Sequence, residues 1–274
     1  INERHLGLVP SFQEKSKNSI LSKIITITKK SIDYEKLYPN KKNIKKTKIL
    51  SSKLISKKKN KLIIGIAEDS SFGFYYQDDL DKIQSYGHRI KKINLLKDKK
   101  LPRIDGFIIG GGFPEMQASE LERNQSMRKG VKNAIENNLP VYAECGGLMY
   151  LANKIKLNNE VKKMCNVFDI NIDMNNKPIG RGYTVVQASS HHPWGLERND
   201  IYAHEFHYSS VKNNKKKYEF AFDIKRGYGI NGKKDGFIYK NTLASFTHLR
   251  ATECFNWVKY FLDFVERKNS ETNI

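Results

Sequence analysis

Apolar and polar positions change rhythm three times along the chain. Residues 1–28 hold one apolar segment, "ILSKIITITKK", which fits a short helix. Residues 29–61 are dominated by Lys, Asn and Ser, and that composition predicts a solvated linker. A regular pattern starts near residue 62. "KLIIGIA" (61–67) is a short apolar run between polar flanks, the signal of a buried strand. "QDDLDKIQSYG" places Leu80 and Ile83 at helical spacing before a terminating Gly87. "HRIKKINLL" and "IDGFIIGGG" read as second and third strands. "SELERNQSMRKGVKNAIENN" reads as one long helix, with a capping box at Ser119 and Glu122 and a buried stripe of Met127, Val131, Ala134 and Ile135. "LPVYA" is a fourth strand and "GGLMYLANKI" the helix after it. Strands alternating with helices predict a mostly parallel central sheet flanked by helices, an α/β fold.

Beyond residue 164 the rhythm shortens. "MCNVFDI", "RGYTVVQA", "IYAHEFHYS", "YEFAFDI" and "GFIYK" read as short strands joined by turns. "TLASFTHL" and a last helix, "ECFNWVKYFLDFVERK", follow. The expectation is an α/β sheet with a β-rich excursion late in the chain.

Composition removes several classes. No run of 18 apolar residues suggests a membrane span, and no charged segment followed by an apolar stretch marks a signal peptide. Cys145, Cys165 and Cys254 are too widely spaced for a disulfide framework or a C-x-x-C metal site, and fit a reducing, cytoplasmic setting. The net charge of +20 raises a nucleic-acid reading. Lysine is spread through the chain, however, and no RRM, KH or zinc-finger signature accompanies it, so nucleic acid is not an expected partner.

The candidate chemistry starts at Cys145. In an open parallel sheet, reactive groups lie beyond the carboxyl ends of the strands. Cys145 sits there, between "PVYA" and a helix, with Ala143 before it and Gly146 and Gly147 after it. A sharp strand-to-helix turn needs small neighbours, and A-x-C-x-G follows the logic of a nucleophile elbow. A helix N-terminus beside the sulfur favours thiolate. A lone cysteine is ordinarily a small buried core residue, but the two glycines and the turn context favour a nucleophile here.

A thiolate nucleophile needs a base. Of the seven histidines, His248 ends the strand "TLASFTH" and is expected at the same sheet rim as Cys145. His88 follows a helix-ending glycine and is expected to be exposed. His191 and His192 fall in the loop "SSHHPWG". His204 and His207, in "HEFHYS", would point to opposite faces of a strand, which argues against a metal site and for pocket lining. No metal site is expected. The backbone amides around Gly111, Gly112 and Gly146 are candidate donors to an oxyanion.

Together these stretches resemble the glutaminase domain of the class I glutamine amidotransferases, and more narrowly that of the cobyrinic acid a,c-diamide synthases. The resemblance is carried by "FGFYYQDDL", "DGFIIGGGFPEMQASEL", "PVYAECGGLMYL", "GRGYTVV", "HEFHYS" and "LASFTHL", in the family's order through residues 62–265. It implies a flavodoxin-like amidotransferase fold over 62–274 and L-glutamine as substrate. It also implies attack by Cys145 and proton transfer by His248. "INERHLGLVPS" resembles the end of the family's synthetase domain, so residues 1–28 are expected to be its C-terminal remnant and 29–61 the Lys-rich linker. ATP and Mg²⁺ would act in that missing domain, since no G-x-x-x-x-G-K-[ST] loop occurs in this chain. This chain itself is expected to hold no cofactor. The expected partner is a synthetase domain, in the same or a separate chain, that carries the corrinoid. A homodimer is compatible with this reading.

Many class I members carry glutamate two residues after the histidine. Here Arg250 stands there, as the diamide synthase branch also lacks that glutamate. Glu205 and Glu253 are then the candidates to orient His248, unless a Cys–His dyad suffices. Other readings are a sister synthase acting on nickel sirohydrochlorin, a non-catalytic partner module, and a cysteine peptidase on the same fold.

Overall fold

The computed structural model describes residues 17–37, 61–157, 160–213 and 216–272. The chain divides into two units, Ile1–Leu54 and Ile55–Ile274. In the first unit, α1 (Lys17–Ser31) contains the apolar segment expected to be helical and runs a little past residue 28. A single turn, α2 (Tyr34–Leu37), follows it inside the stretch expected to be linker. Residues 38–60 of the expected linker lie outside the described residues.

The second unit is built on a nine-stranded sheet. Five of its strands run parallel: β1 (Ile63–Ala67), β3 (Arg89–Ile93), β4 (Gly106–Ile109), β6 (Val141–Glu144) and β15 (Thr242–Ser245). The other four are antiparallel: β10 (Gly180–Ala188), β11 (Asp200–His207), β13 (Glu219–Arg226) and β14 (Lys234–Tyr239). The spatial order is β11-β10-β13-β14-β15-β6-β4-β1-β3. The late β-rich segment is therefore an extension of the parallel sheet. Two smaller sheets complete the unit. One has the order β12-β9-β7-β8, from β7 (Lys154–Leu157), β8 (Glu160–Lys163), β9 (Ile170–Met174) and β12 (Ser209–Asn213); the other pairs β2 (Phe72–Phe74) with β5 (Gly111–Gly112).

Side-chain alternation along the parallel strands creates two cores. Phe107, Ile109, Val141 and Ala143 face one side, where α4 (Ala118–Arg123), α5 (Gln125–Glu136) and α6 (Gly146–Leu151) bury Leu121, Met127, Val131, Ile135 and Leu148. Ile64, Ile66, Ile108 and Tyr142 face the other, where α3 (Gln77–Ser85) and α7 (Trp257–Thr272) bury Ile83, Phe261 and Val265. Burying both faces is what lets β1, β4 and β6 be apolar almost throughout, while the edge strand β3 is charged and largely exposed.

Five local expectations are corrected. The long helix is broken at Asn124 (φ −80, ψ 62), whose buried side chain donates to Leu95 O (2.8 Å) and Asp98 O (2.9 Å). Ser119 therefore lies inside α4, and Glu122 accepts from Lys163 N (2.8 Å) instead of closing a capping box. "ANKI" leaves the helix, and its end forms β7. "MCNV" forms no strand: the amides of Cys165, Asn166 and Val167 bond the carbonyls of Tyr150, Ala152 and Leu151, which α6 leaves open at its C-terminus. His88 is buried, and its Nδ1 accepts from Leu62 N (3.2 Å).

Candidate active site

The end of β6 fixes the centre of the site. Cys145 has φ 45 and ψ −95, one of four non-glycine residues at positive φ among those described. Such a backbone costs about 1–3 kcal/mol and is held by its surroundings. Its N–H donates to Ser245 O (2.7 Å) and its carbonyl accepts from Met149 N (3.1 Å), so the turn is clamped between β15 and α6. The side chain is 7% exposed, and its thiol reaches Phe206 O on β11 (3.9 Å).

The glycines are dictated by close approach. A Cβ on Gly147 would lie 2.2 Å from Ile109 O, and one on Gly112 would lie 1.9 Å from Ser71 O. A Cβ on Gly146 would lie 3.1 Å from Gly112 N, which places the elbow against the β5 backbone. A Cβ on Gly111 would meet the His248 ring at 2.6 Å from Cε1. The glycine run is thus packed on both sides and is followed by Phe113 and Pro114, not by a phosphate-binding helix. Gly110 N is itself taken, donating to Tyr75 Oη (2.9 Å).

His248 lies in the loop after β15 and is 8% exposed. Its ring is within hydrogen-bonding reach of the Cys145 sulfur and of the Glu144 carboxylate, with Nδ1 3.4 Å from Glu144 Oε2. Burial pulls its pKa down, but the bonds and charges of Cys145 and Glu144 outweigh burial and hold the pKa up to about 10. His204 stacks on the ring from β11, and its own pKa is lowered by burial and by the charge of His248.

Three buried carboxylates pin the loop that carries His248. Asp235 accepts from Phe246 N (3.0 Å) and Thr247 N (2.7 Å). Glu144 accepts from Leu249 N (2.9 Å). Asp79 accepts from Ala251 N (3.0 Å) and Trp257 Nε1 (2.9 Å). Every one of these bonds would leave a buried N–H unpaired if removed.

The structure therefore gathers Cys145, His248, Gly111, Gly112, Gly146 and His204. It separates the two carboxylates expected to orient the histidine. Glu205 points to the opposite face of β11 from His204 and binds Tyr228 N (2.7 Å), Gly229 N (2.8 Å) and, at 3.5 Å, His207 Nε2. Burial pushes its pKa up, but those partners hold it below the usual carboxylate range. Glu253 is exposed in the segment before α7. The carboxylate beside the imidazole is Glu144, which sequence reasoning passed over. Its signal was an acid ending an otherwise apolar strand, since a buried carboxylate requires a partner. His204 and His207 do face opposite ways, His207 stacking on Phe246 (3.9 Å, 4°). Among the described residues no group of three or more His, Cys, Asp or Glu gathers as a metal site. Nor is any described helix long and apolar enough to cross a membrane.

A strained cysteine at a strand-to-helix turn, a histidine whose pKa is held up by Cys145 and Glu144, and converging glycine backbones form a thiol site suited to acyl transfer. Comparison with known proteins agrees. Residues 63–253 match the model of the CobB/CobQ-like glutamine amidotransferase domain. Relatives named cobyrinate a,c-diamide synthase include those of Methanobrevibacter smithii (36% identical over 90% of this chain and 55% of the relative) and Magnetococcus marinus (30% over 98% and 59%). The chain spans little more than half the length of these relatives. Solved structures sharing the fold include a glutamine amidotransferase from Thermotoga maritima (TM-score 0.51, 12% identity, 77% of this chain and 86% of that one). PurLQS from Thermotoga maritima is another (TM-score 0.57, 14% identity, 76% and 99%). With that match over most of its length, the chain belongs to the CobB/CobQ-like glutamine amidotransferase domain family.

Proposed function

We propose that this chain is the glutamine-hydrolysing part of a cobyrinate a,c-diamide synthase, supplying ammonia for amidation of the a- and c-carboxylates of a corrin ring. The observation that carries the reading is the meeting of Cys145 and His248, 103 residues apart in sequence by their numbers, at one sheet rim lined by glycine backbone. With the proton held on His248, the Cys145 sulfur attacks the side-chain amide carbon of glutamine. Amides at Gly111, Gly112 and Gly146 face the oxygen that gains the negative charge. As the tetrahedral species collapses, the C–N bond breaks and His248 gives its proton to the departing nitrogen, releasing ammonia. His248 then takes a proton from water, whose oxygen attacks the thioester. Glutamate leaves, and the sulfur and imidazolium are restored.

ATP and Mg²⁺ would belong to the part of the synthase beyond this chain. The residues present include no phosphate loop, and the packed glycine run is no substitute, so no ATP-dependent step is assigned here. The relatives' shared name favours the corrinoid over another tetrapyrrole.

The test is glutamate release by the purified chain, alone and with a synthetase half from a relative. The wild type is expected to release glutamate, more so with the partner. Cys145→Ala abolishes that release, while ammonia-dependent amidation by the reconstituted enzyme persists. Glutamate release by Cys145→Ala at the wild-type rate would overturn the assignment.

A further inference from the structure

Arg250 occupies the position two residues after His248, where many class I amidotransferases have a glutamate. Its guanidinium pairs with Asp78 (3.1 Å) and lies over the Tyr76 ring (4.6 Å to the centroid). It gives the imidazole no carboxylate. Resting on the glutaminase reading above, we propose that Glu144, the residue immediately before the nucleophile, is the positioning residue for His248, and that Tyr142 in turn fixes Glu144.

The geometry supports this from three directions. Glu144 Oε2 is 3.4 Å from His248 Nδ1. Glu144 Oε1 accepts from Tyr142 Oη (2.5 Å) and from Leu249 N (2.9 Å), the amide that follows His248. The carboxylate is thus tied both to its own strand and to the loop it serves. The two-residue period of β6 puts Tyr142 and Glu144 on one face, and Tyr142 is wedged among Trp194, Trp257 and Phe261. Glu144 is 7% exposed, and a carboxylate so buried is stable only with partners such as these.

Holding the proton of Nδ1 leaves Nε2 as the nitrogen that serves Cys145, and the negative charge stabilises the imidazolium. The other groups facing His248 do not take this part. His204 stacks on it from β11 with a pKa lowered by burial, and Gly111 contributes only backbone. Asp79 and Asp235 are occupied with backbone amides of the same loop.

The experiment compares the wild-type chain with Glu144→Gln, Glu144→Asp and Tyr142→Phe. The His248 imidazole is titrated by NMR with labelled histidine, its signal identified by its loss in His248→Gln. Alkylation of Cys145 by iodoacetamide is followed against pH, with Cys145→Ala as the background for Cys254. Neither readout needs glutamine. In Glu144→Gln the imidazolium should lose its proton at least about one pH unit lower than in the wild type. Glutamate release should fall at least about tenfold in kcat, with KM for glutamine little changed, and Glu144→Asp should recover part of the loss. Tyr142→Phe, which removes one hydroxyl and keeps the ring, should shift the titration in the same direction by less. It serves as the test if Glu144→Gln does not fold. An unshifted His248 titration in folded Glu144→Gln, or in Tyr142→Phe where only that variant folds, overturns the proposal. If the titration shifts as expected but the wild type never releases glutamate, even with a synthetase half, Glu144 keeps its positioning role and the glutaminase reading fails.

Discussion

His204 and His248 stack at 4.9 Å between ring centres with an 18° tilt, and they exchange both backbone hydrogen bonds (His204 N to His248 O, 3.3 Å; His248 N to His204 O, 2.8 Å). The edge strand β11 is thereby brought back against the loop that follows β15. His204 supports the imidazole by contact, while its backbone supports the loop. His204→Ala keeps the second and removes the first. Glutamate release should fall roughly tenfold through misplacement of the ring, with a small change in melting temperature. Steady-state assays and thermal melts of the same samples check this.

The backbone at Cys145 makes an unusual stability prediction. Glycine ordinarily destabilises a structured position relative to alanine. At φ 45 and ψ −95 the order should reverse, with Cys145→Gly more stable than Cys145→Ala by roughly 1 kcal/mol. Both variants should be inactive. Urea unfolding of the pair measures the difference.

The pH dependence follows from His248. Its pKa is held up to about 10, so the proton destined for ammonia stays in place well above neutrality. Glutamate release should stay level between about 7 and 9 and decline only as pH rises through about 10. An unassisted histidine, with its proton lost near 6.5, would give a decline beginning around neutrality. A profile of kcat from mildly acidic to strongly alkaline buffer separates the two.

Gly111 and Asp79 separate local from global damage. Gly111→Ala drives a methyl to 2.6 Å from His248 Cε1, so it should displace the ring and abolish activity in a protein that still folds. Asp79→Ala leaves Ala251 N and Trp257 Nε1 without their acceptor, and should destabilise the domain by about 2–4 kcal/mol. Circular dichroism melts beside activity assays distinguish the two.

Much of this was legible in the order of residues. Short apolar runs between polar flanks and helically spaced apolar residues marked the parallel half, and small neighbours around Cys145 marked the turn. Each of these is a local signal. What escaped depended on distant partners. Asn124 breaks a helix because Leu95 and Asp98 offer it carbonyls. "MCNV" gives its amides to the end of α6 rather than to a neighbouring strand. Glu205 was misread for the same reason, since strand alternation turns it away from His248 and toward His207. Glu144 was hidden although it adjoins Cys145, because its contact with His248 appears only when a loop more than a hundred residues later folds over it.

The observed pairing of β6, with Glu144 opposite Ser245 and Tyr142 opposite Leu243, turns both side chains toward the layer in which Glu144 meets His248. A slip of that strand by a single residue would send both side chains into the other layer and bring Ala143 to the imidazole. In the proposed mechanism, ladder bonds along β4, β6 and β15 hold the reacting groups in place, and a deletion in the α5–β6 turn should abolish glutamate release without touching any residue of the centre.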